Sequence, residues 1–110
     1  PSASSQQQSL RFRTAEIVAD LDKAAELSPS MAIAHYNKGV ALADLLGDNT
    51  SALAAFTRAI EIDPGLAEAW YNRGYVFLAL GSWNEASADL SRAGELGIPA
   101  SYSLLKQMGR

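Results

Sequence analysis

The chain has 110 residues, 48% of them apolar and 19% charged, and its nine Lys and Arg against twelve Asp and Glu give a net charge of −3. This is the composition of one folded domain, without the basic stripe that replaces counterions on nucleic acid or the polybasic cluster that holds anionic lipid. The absence of cysteine excludes disulfide and thiolate chemistry, and no apolar run approaches the ~18 residues of a membrane span.

In chain order, Pro1 stands in place of an initiator Met, so the sequence reads as an excised piece. Residues 1–8 are rich in Ser and Gln and predict a tail or linker. Leu10, Ile17, Val18, Leu21, Ala24 and Leu27 recur at helical spacing and predict a first helix, ended by Ser28-Pro29-Ser30. A second helix is predicted from Met31 to Leu46, with Ser30 as N-cap and Gly47-Asp48-Asn49 as the break. A third follows from Ser51 to Ile62 behind Thr50, and Asp63-Pro64-Gly65 is a turn. The fourth spans Leu66 to Leu80, closed by Gly81. Ser82-Trp83-Asn84-Glu85 has the form of a capping box and opens a fifth helix ending near Leu96. After Gly97-Ile98-Pro99, Ser101 starts a short sixth helix that ends near Met108. No stretch alternates as a half-buried strand does, and short links between helices predict an all-α fold of antiparallel neighbours.

The helices repeat. Tyr36-Asn37-Lys38-Gly39 recurs 35 residues on as Tyr71-Asn72-Arg73-Gly74, and Ala52, Phe56 and Ala59 recur 34 residues on as Ala86, Leu90 and Ala93. Leu21, Ala24 and Pro29 precede Phe56, Ala59 and Pro64 by 35, so the first helix reads as the second half of an earlier unit. The extra residue between the two spacings belongs near Gly47, where a loop absorbs it. Gly39, Gly74, Ala52, Ala86, Ala59 and Ala93 are small where two helices must touch, and Trp70, Phe56, Phe77 and Leu90 are sized to fill the spaces between them.

This pattern resembles the tetratricopeptide repeat (TPR), Trp-x2-Leu-Gly-x2-Tyr, then Ala-x3-Phe, then Pro. Trp70, Gly74, Phe77, Ala86, Leu90 and Ala93 match it in the last unit, and Gly39, Ala52, Phe56, Ala59 and Pro64 in the middle one. His35 stands in the Trp place, Leu42 in the Tyr place, Lys38 and Arg73 in the Leu place, and Pro99 comes one residue late. The resemblance implies a TPR-type α-solenoid: an incomplete repeat at 9–29, repeats at 30–64 and 65–98, and a capping helix at 99–110. Stacked units need a polar-backed cap; Tyr102, Leu104, Leu105 and Met108 give the last helix an apolar side. The uncapped N-terminal side is a candidate surface for homo-oligomers. The segment from Asp89 to Ile98 and the helix after it are also similar to the C-terminal end of Bacteroidetes repeat proteins, a resemblance that implies an exported or periplasmic protein and leaves a cytoplasmic one open.

In this family the first helix of each pair lines a concave groove. The resemblance therefore implies a peptide-binding set of Tyr36, Asn37, Val40, Glu68, Tyr71, Asn72 and Tyr75, flanked by Ile33, Ala43 and Leu78. The expected function is a non-catalytic scaffold for a peptide or partner helix, the alternative a structural spacer or self-assembly unit. The chaperone-tail version of the fold clamps a terminal carboxylate with Lys, Asn and Arg. Asn37 fits one place here, but Glu68 and Asn72 stand where the cations belong. A lone His35 without cysteine makes no metal site, the glycines form no phosphate loop, and no base is placed beside a serine. No catalytic residue, metal or cofactor is expected.

Overall fold

The computed structural model describes residues 13, 16, 17, 19–23 and 31–109. Residues 19–23 are helical and form α1; then come α2 (Ala32–Asp44), α3 (Asn49–Ile62), α4 (Ala67–Ala79), α5 (Trp83–Glu95) and α6 (Ala100–Gln107). There is no strand among the described residues. The tail, most of the incomplete repeat, and the expected N-cap Ser30 lie outside them. α2 packs on α3 and α4 on α5; α3 joins the pairs by packing on α4, α2 also touches α4, and α6 packs on α5.

The small residues are where the helices meet. Ala52, Ala59, Ala86 and Ala93 are fully buried, as are Phe56 and Leu90. A Cβ on Gly39 would lie 2.6 Å from the Phe56 ring, and one on Gly74 3.0 Å from Leu90 Cγ. Leu42, Ala52, Ala55, Phe56 and Val76 form one core cluster; Ala32, Ala59, Ile60 and Ala69 form a second, with Tyr36 packed against both.

Helix ends differ from the sequence expectation in instructive ways. α3 starts at Asn49 because the Asp48 carboxylate, and not Thr50, accepts from the Ser51 amide at 3.1 Å. An anion there also faces the positive helix end. The N-cap position of α2 falls on Met31, which offers no side-chain acceptor. The capping box at Ser82 does not form, since the Ser82 side chain makes no cap bond. Its own amide is already taken, donating to Phe77 O at 2.8 Å while Gly81 N donates to Leu78 O at 3.0 Å. That pair of bonds closes α4 with Gly81 at φ 78°, and it leaves Glu85 no free amide to reach back to. α5 closes in the same way, Ile98 N donating to Ala93 O and Gly97 N to Gly94 O.

The extra residue of the first spacing lies at the end of α2. Leu46 intervenes between the C-cap Leu45 and Gly47, and the chain closes by wider bonds from Leu46 N to Ala41 O and Asp48 N to Leu42 O.

α6 covers the flank of α5, though not with the side chains expected to lie deepest. Ser101 is fully buried, Leu104, Leu105 and Met108 are half-buried, and Tyr102 is 54% exposed. The Tyr102 ring lies against the backbone of α5, where a Cβ on Gly94 would come within 2.6 Å of it. Ile60 holds the same place one repeat earlier. The last repeat thus has glycine where a ring must approach. Leu104→Asp combined with Leu105→Asp is expected to cost ~1.5–3 kcal/mol, half of what full burial of both would contribute. An unchanged melting temperature would show that α6 does not cover α5.

Candidate functional site

The sequence-derived groove residues lie on α2 and α4, which touch. Tyr36 is held from two sides. Its ring packs on Phe56 with centroids 5.9 Å apart, and its hydroxyl accepts from Asn72 Nδ2 at 3.2 Å. The same amide nitrogen donates to Glu68 O at 2.8 Å. Both amide hydrogens of Asn72 are thus used, and its carbonyl oxygen remains an acceptor. Burial, then the Glu68 carboxylate, push the Tyr36 hydroxyl above its ordinary value, against the lowering effect of the Asn72 bond, so the phenol stays neutral at neutral pH.

The seven residues do not share one environment. Tyr36 and Val40 pack against the core. Asn72 fastens α4 to α2, and Tyr71 is half-buried. Asn37, Glu68 and Tyr75 are exposed. Of the flanking positions, Ile33 is exposed while Ala43 and Leu78 are half-buried. The two Tyr-Asn pairs therefore do different work: one Tyr of the first pair bonds one Asn of the second across the helix contact.

The basic residues next to these pairs point elsewhere. Arg73 grips Asp89 of α5 with two bonds, Nε to Oδ2 at 2.7 Å and Nη2 to Oδ1 at 2.8 Å. Its Nη1 donates to Thr57 Oγ1 of α3 at 3.2 Å. The guanidinium also lies 5.2 Å from the Trp70 ring centroid and 5.7 Å from that of Phe77, and Trp70 Nε1 donates to Pro64 O at 2.8 Å. Lys38 does the equivalent one repeat earlier, pairing with Asp22 of α1 at 2.7 Å. Lys38 to Asp22 and Arg73 to Thr57 span the same sequence distance, so α1 stands toward α2 as α3 stands toward α4. Sequence reasoning registered Lys38 and Arg73 only as departures from a leucine. It missed Asp89, whose signal was a cation recurring at one repeat position with no visible partner.

Lys38 and Arg73 being engaged with other helices, the exposed carboxylates of Glu68 and then Asp44 act on the Tyr36 end of the pairs. Among the described residues no cluster could hold a metal ion, and no helix is long and apolar enough to cross a membrane.

Residues 45–81, which enclose α3 and α4, match a family model described as TPR repeat. Among solved structures, the chain is similar to the first TPR of Spaghetti (RPAP3) bound to the HSP90 peptide SRMEEVD. The two are 20% identical, the match covers 90% of this chain and 79% of that one, and the TM-score is 0.82. It is also similar to YrrB, a TPR protein with an unusual peptide-binding site, at 28% identity and a TM-score of 0.67. That match covers 71% of this chain and 40% of YrrB. No curated protein sequence matches. The paired helices form a TPR-type solenoid.

Proposed function

We propose that this TPR-type chain is a non-catalytic protein–protein interaction scaffold. Its ligand is a peptide or partner helix lying along α2 and α4 over Tyr36, Asn37, Val40, Glu68, Tyr71, Asn72 and Tyr75. The observation that carries this reading is the Tyr36–Asn72 bond at 3.2 Å. It locks two first helices side by side while Asn37, Glu68 and Tyr75 stay exposed next to it. Such a surface is pre-organised, so little ordering cost opposes binding. Asn37 and the free oxygen of Asn72 suit the backbone of an extended segment, and Tyr75, 54% exposed, supplies apolar area at low entropic cost. Similarity to two peptide-binding TPR structures supports the same reading.

Ligand chemistry is set by charge. Glu68 favours a segment carrying a cation and disfavours an acidic chain terminus. The test is selection of peptides from a displayed random library, followed by anisotropy titrations. Tyr71→Ala with Tyr75→Ala is expected to weaken the selected peptides at least ~10-fold, as loss of aromatic anchors does, and Glu68→Lys to invert the preference from basic to acidic sequences. Unaltered affinity in both variants would move the site off this face. Light scattering on the same samples separates this scaffold from the self-assembly alternative, which predicts a mass that rises with concentration.

A further inference from the structure

Each repeat is a packed helix pair, α2 on α3 and α4 on α5, but the two differ in what fills one corner. In the second, Trp70 and Phe77 flank Arg73, and Asp89 closes on its guanidinium. At the repeat-equivalent places the first has His35, Leu42, Lys38 and Ala55. Two aromatic side chains and one carboxylate are thus replaced by smaller or uncharged groups, while the cation is kept. Between α1, α2 and α3 the result is an open cleft of about 650 Å³, lined by His35, Lys38, Leu42, Ala55, Arg58 and Asp22 among others. On α2 these positions face away from Tyr36, Asn37 and Val40, since residues one helical half-turn apart point to opposite sides.

We infer that this cleft is a second binding site, for an aromatic carboxylate. The ring would enter where Trp70 and Phe77 sit in the other repeat, over Leu42 and Ala55 and beside the Lys38 ammonium. The carboxylate would take the place that Asp89 fills there, between Lys38 and Arg58. Lys38 has three donors, and one carboxylate, Asp22 at 2.7 Å, engages it. Arg58 is exposed and makes no ion pair among the described residues. Among the described lining residues Lys38 and Arg58 outnumber Asp22, a balance that favours an anion. Its volume falls within the ~300–1,000 Å³ of ordinary ligand pockets and accepts an indole with a carboxylate arm.

Two sources share this chemistry, a free aromatic acid and a polypeptide ending in an aromatic residue. The experiment titrates isotope-labelled protein, followed by amide resonances, with N-acetyl-tryptophan, with acetyl-Gly-Gly-Gly-Trp and with that peptide as its C-terminal amide. At least one free acid is expected to shift the amides of His35, Lys38 and Arg58, and the terminal amide to bind about tenfold more weakly, having lost a charge-assisted bond. Binding by the peptide acid alone assigns the site to chain termini; binding by both assigns it to any aromatic acid. Arg58→Gln, at an exposed position, is expected to weaken binding with the fold intact. His35→Trp fills the ring position as Trp70 does, and is expected to abolish binding while the melting temperature holds or rises. The inference is overturned if neither acid shifts these amides, if the terminal amide binds as well as the acid, or if His35→Trp binds as the parent does.

Discussion

Arg73→Met is expected to destabilise the protein by ~3–5 kcal/mol, because it strands the Asp89 carboxylate in the interior. The Asp89 side chain is 5% exposed and that of Arg73 17%. The guanidinium gives Asp89 two bonds, bonds Thr57, and lies near the faces of Trp70 and Phe77, so one substitution loosens contacts of α4 with both α3 and α5. Against a typical total of ~5–15 kcal/mol, much of the chain's stability goes. The measurement is the urea midpoint, which should fall steeply. Arg73→Met combined with Asp89→Leu is expected to recover most of the loss, since removing both charges leaves none buried and unpaired. Lys38→Met is the control. Its ion pair reaches back to α1 through a single contact, where Arg73 reaches back to Thr57, and its side chains are 32% and 45% exposed. A pair so hydrated is worth ~0–1 kcal/mol. Equal losses at Lys38 and Arg73 would refute the claim that burial, not pairing, sets the cost.

Phe56→Ala is expected to cost ~3–5 kcal/mol, the range for emptying an aromatic side chain from a closed core. Phe56 is fully buried, packs on the Tyr36 ring and fills the space above Gly39. The same fit makes Gly39→Ala unfavourable by ~1–3 kcal/mol through overpacking, because its methyl would stand 2.6 Å from the ring. Gly74→Ala is expected to cost less. The residue facing it is Leu90, whose nearest atom is 3.0 Å from the added methyl and whose branched chain can shift. Phe56→Leu should therefore partly rescue Gly39→Ala, and thermal melts of the three variants decide it. No rescue would mean that the ring is not what keeps residue 39 small. Because Tyr36 rests on Phe56, the Phe56→Ala protein should also lose peptide binding in the proposed groove.

The repeat was legible because the physics behind it is local and periodic. Gly39, Gly74 and the four buried alanines mark helix crossings at fixed spacing, and a spacing can be read without coordinates. Helix order and the closing glycines followed for the same reason. The capping box at Ser82 did not, because a motif names the groups able to bond and not those already engaged; the Ser82 amide belongs to the closure of α4. The Tyr-Asn pairs were visible as a pair of pairs. That one Tyr bonds the other's Asn depends on how closely α2 and α4 lie.

By itself, then, the amino-acid order determined an all-α stack of paired helices and where its small residues go. Only the tertiary structure decided that Arg73 turns inward to Asp89, that glycine at position 94 makes room for the Tyr102 ring, and that His35, Lys38 and Ala55 leave a cleft. Spacing along one helix is fixed by its geometry. Partnership between helices depends on distances across the stack, set by the sum of all the side chains packed between them.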